Sequence, residues 1–189
     1  MQAQLLPRQV LDWVALLERL NDDDRAGLLR HYLALAPEDR RLRFGLQVTD
    51  DFIGSFVERV DFDRDVVFGV CSGTGSWLGI GHLVPGNGAA ELGLSVLPEA
   101  RGKGLGAAIF RFAVAHAARN GVRRLFMHFL TRNKAILSIA RSARMQIESE
   151  AGESDAHLVV PPYPEFVRMM IAASETGTGR RRPARAESS

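Results

Sequence analysis

Apolar residues recur at helical spacing through the first part of the chain. Between Leu5 and Leu20 they fall at Leu6, Val10, Trp13, Val14 and Leu17, one stripe of an amphipathic helix. Asn21 and the aspartates behind it are suited to cap a second helix carrying Leu28, Leu29, Tyr32 and Leu33, and Pro37 ends that pattern. Leu42–Phe44 reads as the start of the first core strand. Thr49 then precedes Phe52, Ile53, Phe56, Val57 and Val60, which predicts a capped helix over Asp50–Val60. Beyond it the texture turns to strands. Asp65–Val70, Trp77–Leu83 and Ala89–Leu97 are candidates, separated by the turns Ser72–Ser76 and Pro85–Gly88.

After Pro98 the pattern changes again. A loop to Gly106 leads into a helix over Leu105–Asn120, stopped by Gly121. Arg124–Leu130 predicts a strand and Asn133–Arg144 a helix. Gln146–Glu150 with Asp155–Val160 predicts a closing hairpin, and Phe166–Ala172 a short helix. This order implies an α/β, or α+β layered, sheet rather than repeated βαβ units. No solenoid repeat is present. The expected division is an N-terminal helical extension at residues 1–40, one catalytic domain at 41–173, and a disordered tail at 174–189.

Composition narrows this reading a little. The 189 residues are 46% hydrophobic and 24% charged, enough for a core without disulfide or metal staples. The single cysteine, Cys71, fits a reducing compartment. The first residues do not read as an export signal, and no run approaches a membrane span, so a cytoplasmic protein is expected. Net charge is +2, with Arg180, Arg181, Arg182 and Arg185 crowded into the tail. That tail reads as solvated rather than as a nucleic-acid site, because no folded support accompanies it.

The chemistry is concentrated in Val96-Leu-Pro-Glu-Ala-Arg-Gly-Lys-Gly-Leu-Gly106, between a strand and a helix. Gly102, Gly104 and Gly106 let backbone N–H groups approach an anion, and the following helix aims its positive end at the same spot. Arg101 and Lys103 add charge. A P-loop is excluded because Lys103 is followed by Gly104 rather than Ser or Thr. A dinucleotide site is disfavoured because the glycines follow a strand meander in mid-chain. The loop reads as a pyrophosphate cradle, with a tight structural turn as the alternative.

Arg101-x-x-Gly-x-Gly106, after the strand Glu91-Leu-Gly-Leu-Ser-Val96, resembles motif A of the GNAT acetyltransferases. Asn133 through Met145 resembles the family's next landmark, a helix starting at Asn and ending near a Gly-Phe pair. Pro37–Phe44 and Asp61–Asp65 further resemble GNAT domains of bacterial protein-lysine acetyltransferases. The resemblance spans about Leu42 to Val160. It implies a mixed, mostly antiparallel central sheet with helices on both faces, and acetyl-CoA, or another short acyl-CoA, as co-substrate. The amides of Arg101, Gly102, Lys103, Gly104, Leu105 and Gly106 would hold the pyrophosphate. Leu94, Ser95 and Val96, on a bulged strand splayed from Arg124–Leu130, would pair with the pantetheine arm. Asn133 would contact that arm from the far side.

Acyl transfer needs a neutral amine, whereas a lysine-like amine has a pKa near ~10.4. Glu91, on the strand before the loop, is the candidate general base, with partial burial expected to tune it. Many relatives place a Tyr acid on the helix after the Asn; here that position is Ala140. A thiolate, from a thiol of pKa about 8.5, leaves tolerably without one. Arg144-Met145 replaces Gly-Phe. His82, His116, His128 and His157 read as structural, as do Phe110, Phe112, Phe126 and Phe129. No histidine pair has metal-ligand spacing, so no metal is expected. Asp50, Asp51, Glu58, Asp61, Asp63 and Asp65 would make the acceptor side acidic and favour a cationic amine such as a protein lysine. The competing readings are a non-catalytic acyl-CoA sensor, suggested by Ala140, and a scaffold recruiting partners through its terminal segments.

Overall fold

A computed structural model describes residues 8–168. Its elements, in chain order, are α1 (Arg8–Ala15), β1 (Glu18–Arg19), α2 (Arg25–Leu33), α3 (Pro37–Phe44), α4 (Asp50–Glu58), β2 (Val66–Cys71), β3 (Trp77–Pro85), β4 (Ala89–Val96), α5 (Leu105–Arg119), β5 (Arg124–Leu130), α6 (Lys134–Ser142), β6 (Gln146–Glu150) and β7 (Glu153–Val159). Residues 163–168 are helical, so the helix expected at 166–172 starts earlier; its end and the tail lie outside the described residues. The strands form one sheet of order β1-β2-β3-β4-β5-β7-β6. Every neighbouring pair is antiparallel except β4 and β5.

Two expectations for the early chain are corrected. The stripe predicted as one helix to Leu20 breaks after Ala15, and Glu18–Arg19 pairs with Gly69 and Phe68 at the sheet edge. Leu42–Phe44 is the last turn of a helix, not a strand. Pro37 starts that helix at a position needing no N–H donor, and Gly45, at φ +81°, ends it in the left-handed region. The other boundaries fall within a few residues of their expected places. Thr49 caps α4 by accepting from the Phe52 N–H at 3.2 Å.

Alternation along the strands divides the interior into two cores. Val66, Phe68 and Val70 of β2 face α5 and α6, joined by Leu83, Leu92, Leu105, Ile109, Leu125 and Met127. Val67 faces the opposite side with Leu28, Tyr32, Ile53, Val57 and Ile80, under α2 and α4. Residues before position 41 therefore supply core as well as an edge strand. Gly79 and Gly81 let α5 lie close to β3: a Cβ on Gly81 would stand 2.5 Å from the Phe68 ring and 2.7 Å from Ile109.

On the α2 side two buried histidines join elements far apart in sequence. His31 donates Nδ1–H to the Trp77 carbonyl at 2.7 Å and accepts from Ser95 Oγ at Nε2, 2.8 Å away. Burial chiefly pushes its pKa down to about 4, partly opposed by the Trp77 bond and assisted by the Arg43 charge. A group depressed in the folded state contributes stability above its unfolded pKa of about 6.5, lost as pH falls toward 4. Urea denaturation at pH 7 and pH 4.5 should show His31→Gln losing about 2–3 kcal/mol less than the unmodified protein over that interval. Equal losses would show that His31 does not set the acid limit.

Candidate functional site

β4 and β5 pair over only three residues, Ala89↔Arg124, Ala90↔Leu125 and Glu91↔Phe126. Beyond Glu91 the strands separate, because β5 continues against β7 from Arg124 to Leu130 while β4 continues against β3 to Val96. The β3–β4 register is unbroken from Ala90 to Val96, so the expected bulge is absent and the divergence alone makes the opening. Leu97 N–H bonds to Leu78 O, and Ala89 O accepts from Gly86 N–H. Antiparallel alternation then turns the odd-numbered peptide groups of β4 toward β3 and those of Leu92, Leu94 and Val96 into the opening. Val96 O is met there by Arg101 Nε at 2.9 Å.

The glycine loop closes one end of the opening. Pro98–Ala100 forms a 3₁₀ turn, and Gly102 and Gly104 take φ of +71° and +82°. Gly104 is the N-cap of α5 and offers no side chain to its amides. The N–H groups of Gly102–Ala107 have no acceptor among the described residues; the first bond of the helix runs from Ala108 to Gly104 O at 3.0 Å. These donors and the dipole of a fifteen-residue helix converge on one spot. Gly106 faces Ile139, Leu94 and Val96, so β4, α5 and α6 meet behind the loop.

The two basic side chains of the loop are engaged within the protein. Arg101 pairs with Asp39 at 2.9 Å, and Lys103 Nζ donates to Glu99 O at 2.8 Å. Both brace the loop. Trp13 braces it too, donating Nε1–H to Lys103 O at 2.7 Å. Ser95 is buried with its hydroxyl on His31 and, as an odd-numbered residue, turns its peptide groups toward β3, so of the three residues expected to pair with the arm only Leu94 and Val96 present theirs to the opening. Asn133 caps α6 through Ile136 N–H at 3.2 Å and lies 3.5 Å from Leu42 O, across from β4. Ala140 is fully buried in the α5 core.

Glu91 shares a sheet face with Phe126 and His128 of β5 and with Glu153, Asp155 and His157 of β7. It is exposed rather than partly buried, since it sits near the β3–β4 turn opposite Val84. His128 Nδ1 lies 2.8 Å from Asp155 and its Nε2 3.7 Å from Glu153. The bond to Asp155 chiefly raises its pKa, against burial and with the charges of Asp155, Glu153 and Glu91. Phe126 lies beside His157 on this face instead of entering the core. The acidic residues expected around α4 are partly consumed. Asp50 pairs with Arg40, and buried Asp65 holds both Arg64 and His82. Glu148, Glu153 and Asp155 add carboxylates on the face of Glu91, the latter two against His128. Among the described residues no group of three or more His, Cys, Asp or Glu could hold a metal, and no helix could cross a membrane.

The fold has parallels. The chain resembles the GNAT domain of a PAT from S. lividans at 19% identity, over 76% of this chain and 89% of that one, with a TM-score of 0.64. It also resembles a spermidine N-acetyltransferase from Vibrio cholerae, solved with CoA and spermine, at 12% identity over 78% and 96% of the chains, TM-score 0.61. A ribosomal-protein-alanine N-acetyltransferase from Brucella melitensis matches at 17% identity over 76% and 99%, TM-score 0.59. These likenesses are of fold alone. No curated protein matches the sequence. The model of the acetyltransferase (GNAT) family, however, matches residues 13–140, most of the described molecule. The chain belongs to the acetyltransferase (GNAT) family.

Proposed function

We propose that the protein is an acyl-CoA-dependent N-acyltransferase that moves an acetyl or other short acyl group to a primary amine in the cytoplasm. The observation carrying this reading is the convergence of free amides at Gly102–Ala107 on the end of the β4–β5 opening. The site suits acyl-CoA on three counts: left-handed glycines, amides without acceptors, and an unpaired strand edge. The amides of Gly102–Gly106 would hold the pyrophosphate, the Arg101 N–H expected among them being taken by Pro98 O at 3.2 Å. Leu94 and Val96 would pair with the extended arm, and Asn133 would bound it opposite. When bound, acyl-CoA supplies an acyl group activated as a thioester.

Glu91 takes the proton that frees the amine lone pair, directly or through water, and its exposure on the open face gives the acceptor access. His128 stands two residues further along β5 on the same face. With Nδ1–H turned to Asp155, its neutral ring presents Nε2 as a second proton acceptor. Glu148, Glu153 and Asp155 favour a cationic acceptor, such as a protein lysine or a polyamine like the spermine of the Vibrio cholerae complex.

The test is amine-dependent thiol release from acetyl-CoA, with spermine and poly-lysine as acceptors. Turnover above hydrolysis establishes the reading. Acyl-CoA binding without turnover, across a broad amine panel, would instead favour a sensor, as the missing acid at Ala140 suggests.

A further inference from the structure

Several arginines of this molecule hold oxygen partners, while Arg43 and Arg111 each bury a donor without one. Arg25 donates to the carbonyls of Val57, Glu58 and Val60. Arg40 binds Leu33 O, Leu35 O and Asp50. Arg64, Arg101 and Arg132 have carboxylate partners. Arg43, one turn along α3 from Arg40, differs. Among the described residues it makes no ion pair and no hydrogen bond, and its Nε is buried without an acceptor. Tyr32 beside it is fully buried, and its hydroxyl also lacks a partner.

The guanidinium is nevertheless held in one place. Its Cζ lies 5.7 Å from the Tyr32 ring centroid, 5.1 Å from Phe44 and 6.0 Å from Phe56, so three rings wall it by cation–π attraction. Its fourth wall is β4. A Cβ on Gly93 would stand 2.5 Å from Cζ and from one Nη, and 2.7 Å from the other, so the fork lies against bare backbone. Gly93 is two residues beyond the last β4–β5 pair and on the same face as Glu91. The cation therefore stands at the mouth of the opening, beside the candidate base. Its charge adds to burial in lowering the pKa of both His31 and His82.

A planar fork with vacant donors, in a ring-walled site, matches an oxyanion of the carboxylate or phosphate kind. On the Glu91 face of β4, away from the glycine loop, the group it would meet is a carboxylate of a reactant. We propose that Arg43 recognises a carboxylate carried by one of the two reactants, either the acyl chain of a dicarboxylic acyl-CoA or the amine acceptor. This rests on the acyltransferase reading and adds a substrate class to it. Glu91 and Arg43, on one face of β4, then form an opposed pair that reads an amine and a carboxylate at a fixed separation.

Calorimetry on the full chain distinguishes the sources. In one arm acetyl-CoA is compared with succinyl-CoA. In the other, protein saturated with CoA is titrated with lysine and with cadaverine, which differ only in the carboxylate. The expected result is a preference of about tenfold or more for the carboxylate-bearing member of one arm. Arg43→Gln should erase that preference while acetyl-CoA affinity stays within about twofold. Arg43→Lys, which keeps the charge and tests folding by its melting curve, should retain only part of it. No preference in either arm, or one that survives Arg43→Gln, would overturn the proposal and leave Arg43 as a ring-held structural cation. Loss of acetyl-CoA binding by the unmodified protein would instead refute the acyltransferase reading itself.

Discussion

Replacing Glu91 with Gln should lower kcat for amine acylation by about a hundredfold or more, while acetyl-CoA affinity changes less than twofold. The carboxylate lies on the open face of β4, away from the amides that would hold the pyrophosphate. Its loss therefore removes a proton acceptor without touching the cradle. Gln preserves size and hydrogen bonding, and Glu91 is exposed, so stability should be unchanged. Steady-state kinetics with calorimetry separates the effects. Full activity in Glu91→Gln, with loss in His128→Gln, would move the role to the His128–Asp155 pair.

Gly104→Glu should abolish measurable acyl-CoA binding, a loss of about a hundredfold or more. Two causes act together. Gly104 holds φ +82°, where a side chain costs about 1–2 kcal/mol, and it begins α5 at the point where the free amides converge. A carboxylate there repels a pyrophosphate and accepts the bonds meant for it. Gly104→Asn separates strain from charge, since Asn enters the left-handed region more readily and is neutral. It should retain most of the affinity. Equal loss in both variants would assign the defect to loop geometry, and intact binding in Gly104→Glu would place the cofactor elsewhere.

Local signals made most of this legible in advance. Thr49, Gly121 and the glycine loop are short-range devices whose consequences lie within a turn of themselves, and each stands where its chemistry requires. Arg144 takes φ +55° after α6, the conformation for which a glycine is the usual choice, and Met145 enters the core behind it. What the chain did not reveal depends on long-range contacts. Leu42–Phe44 has a strand-like apolar pair, yet Pro37 and Gly45 bracket it as a helix. The exposure of Glu91 follows from its pairing with Val84 beside the β3–β4 turn, a matter of sheet register. His31 meets Ser95 across 64 positions, and Arg43 meets Gly93 across the gap between a helix and the sheet. No spacing rule joins such pairs. An arginine at the end of a short helix looks like an ordinary partner for the helix dipole until its surroundings show no anion.

Cofactor binding by the unmodified protein is the most direct test of the glycine loop as a pyrophosphate cradle. Calorimetric titration with acetyl-CoA should give saturable one-to-one binding, with dephospho-CoA retaining most of the affinity and adenosine, which lacks the pyrophosphate, binding far more weakly. Absence of binding by any short acyl-CoA, or adenosine binding as tightly as acetyl-CoA, would contradict the account and leave Gly102–Gly106 as a structural turn.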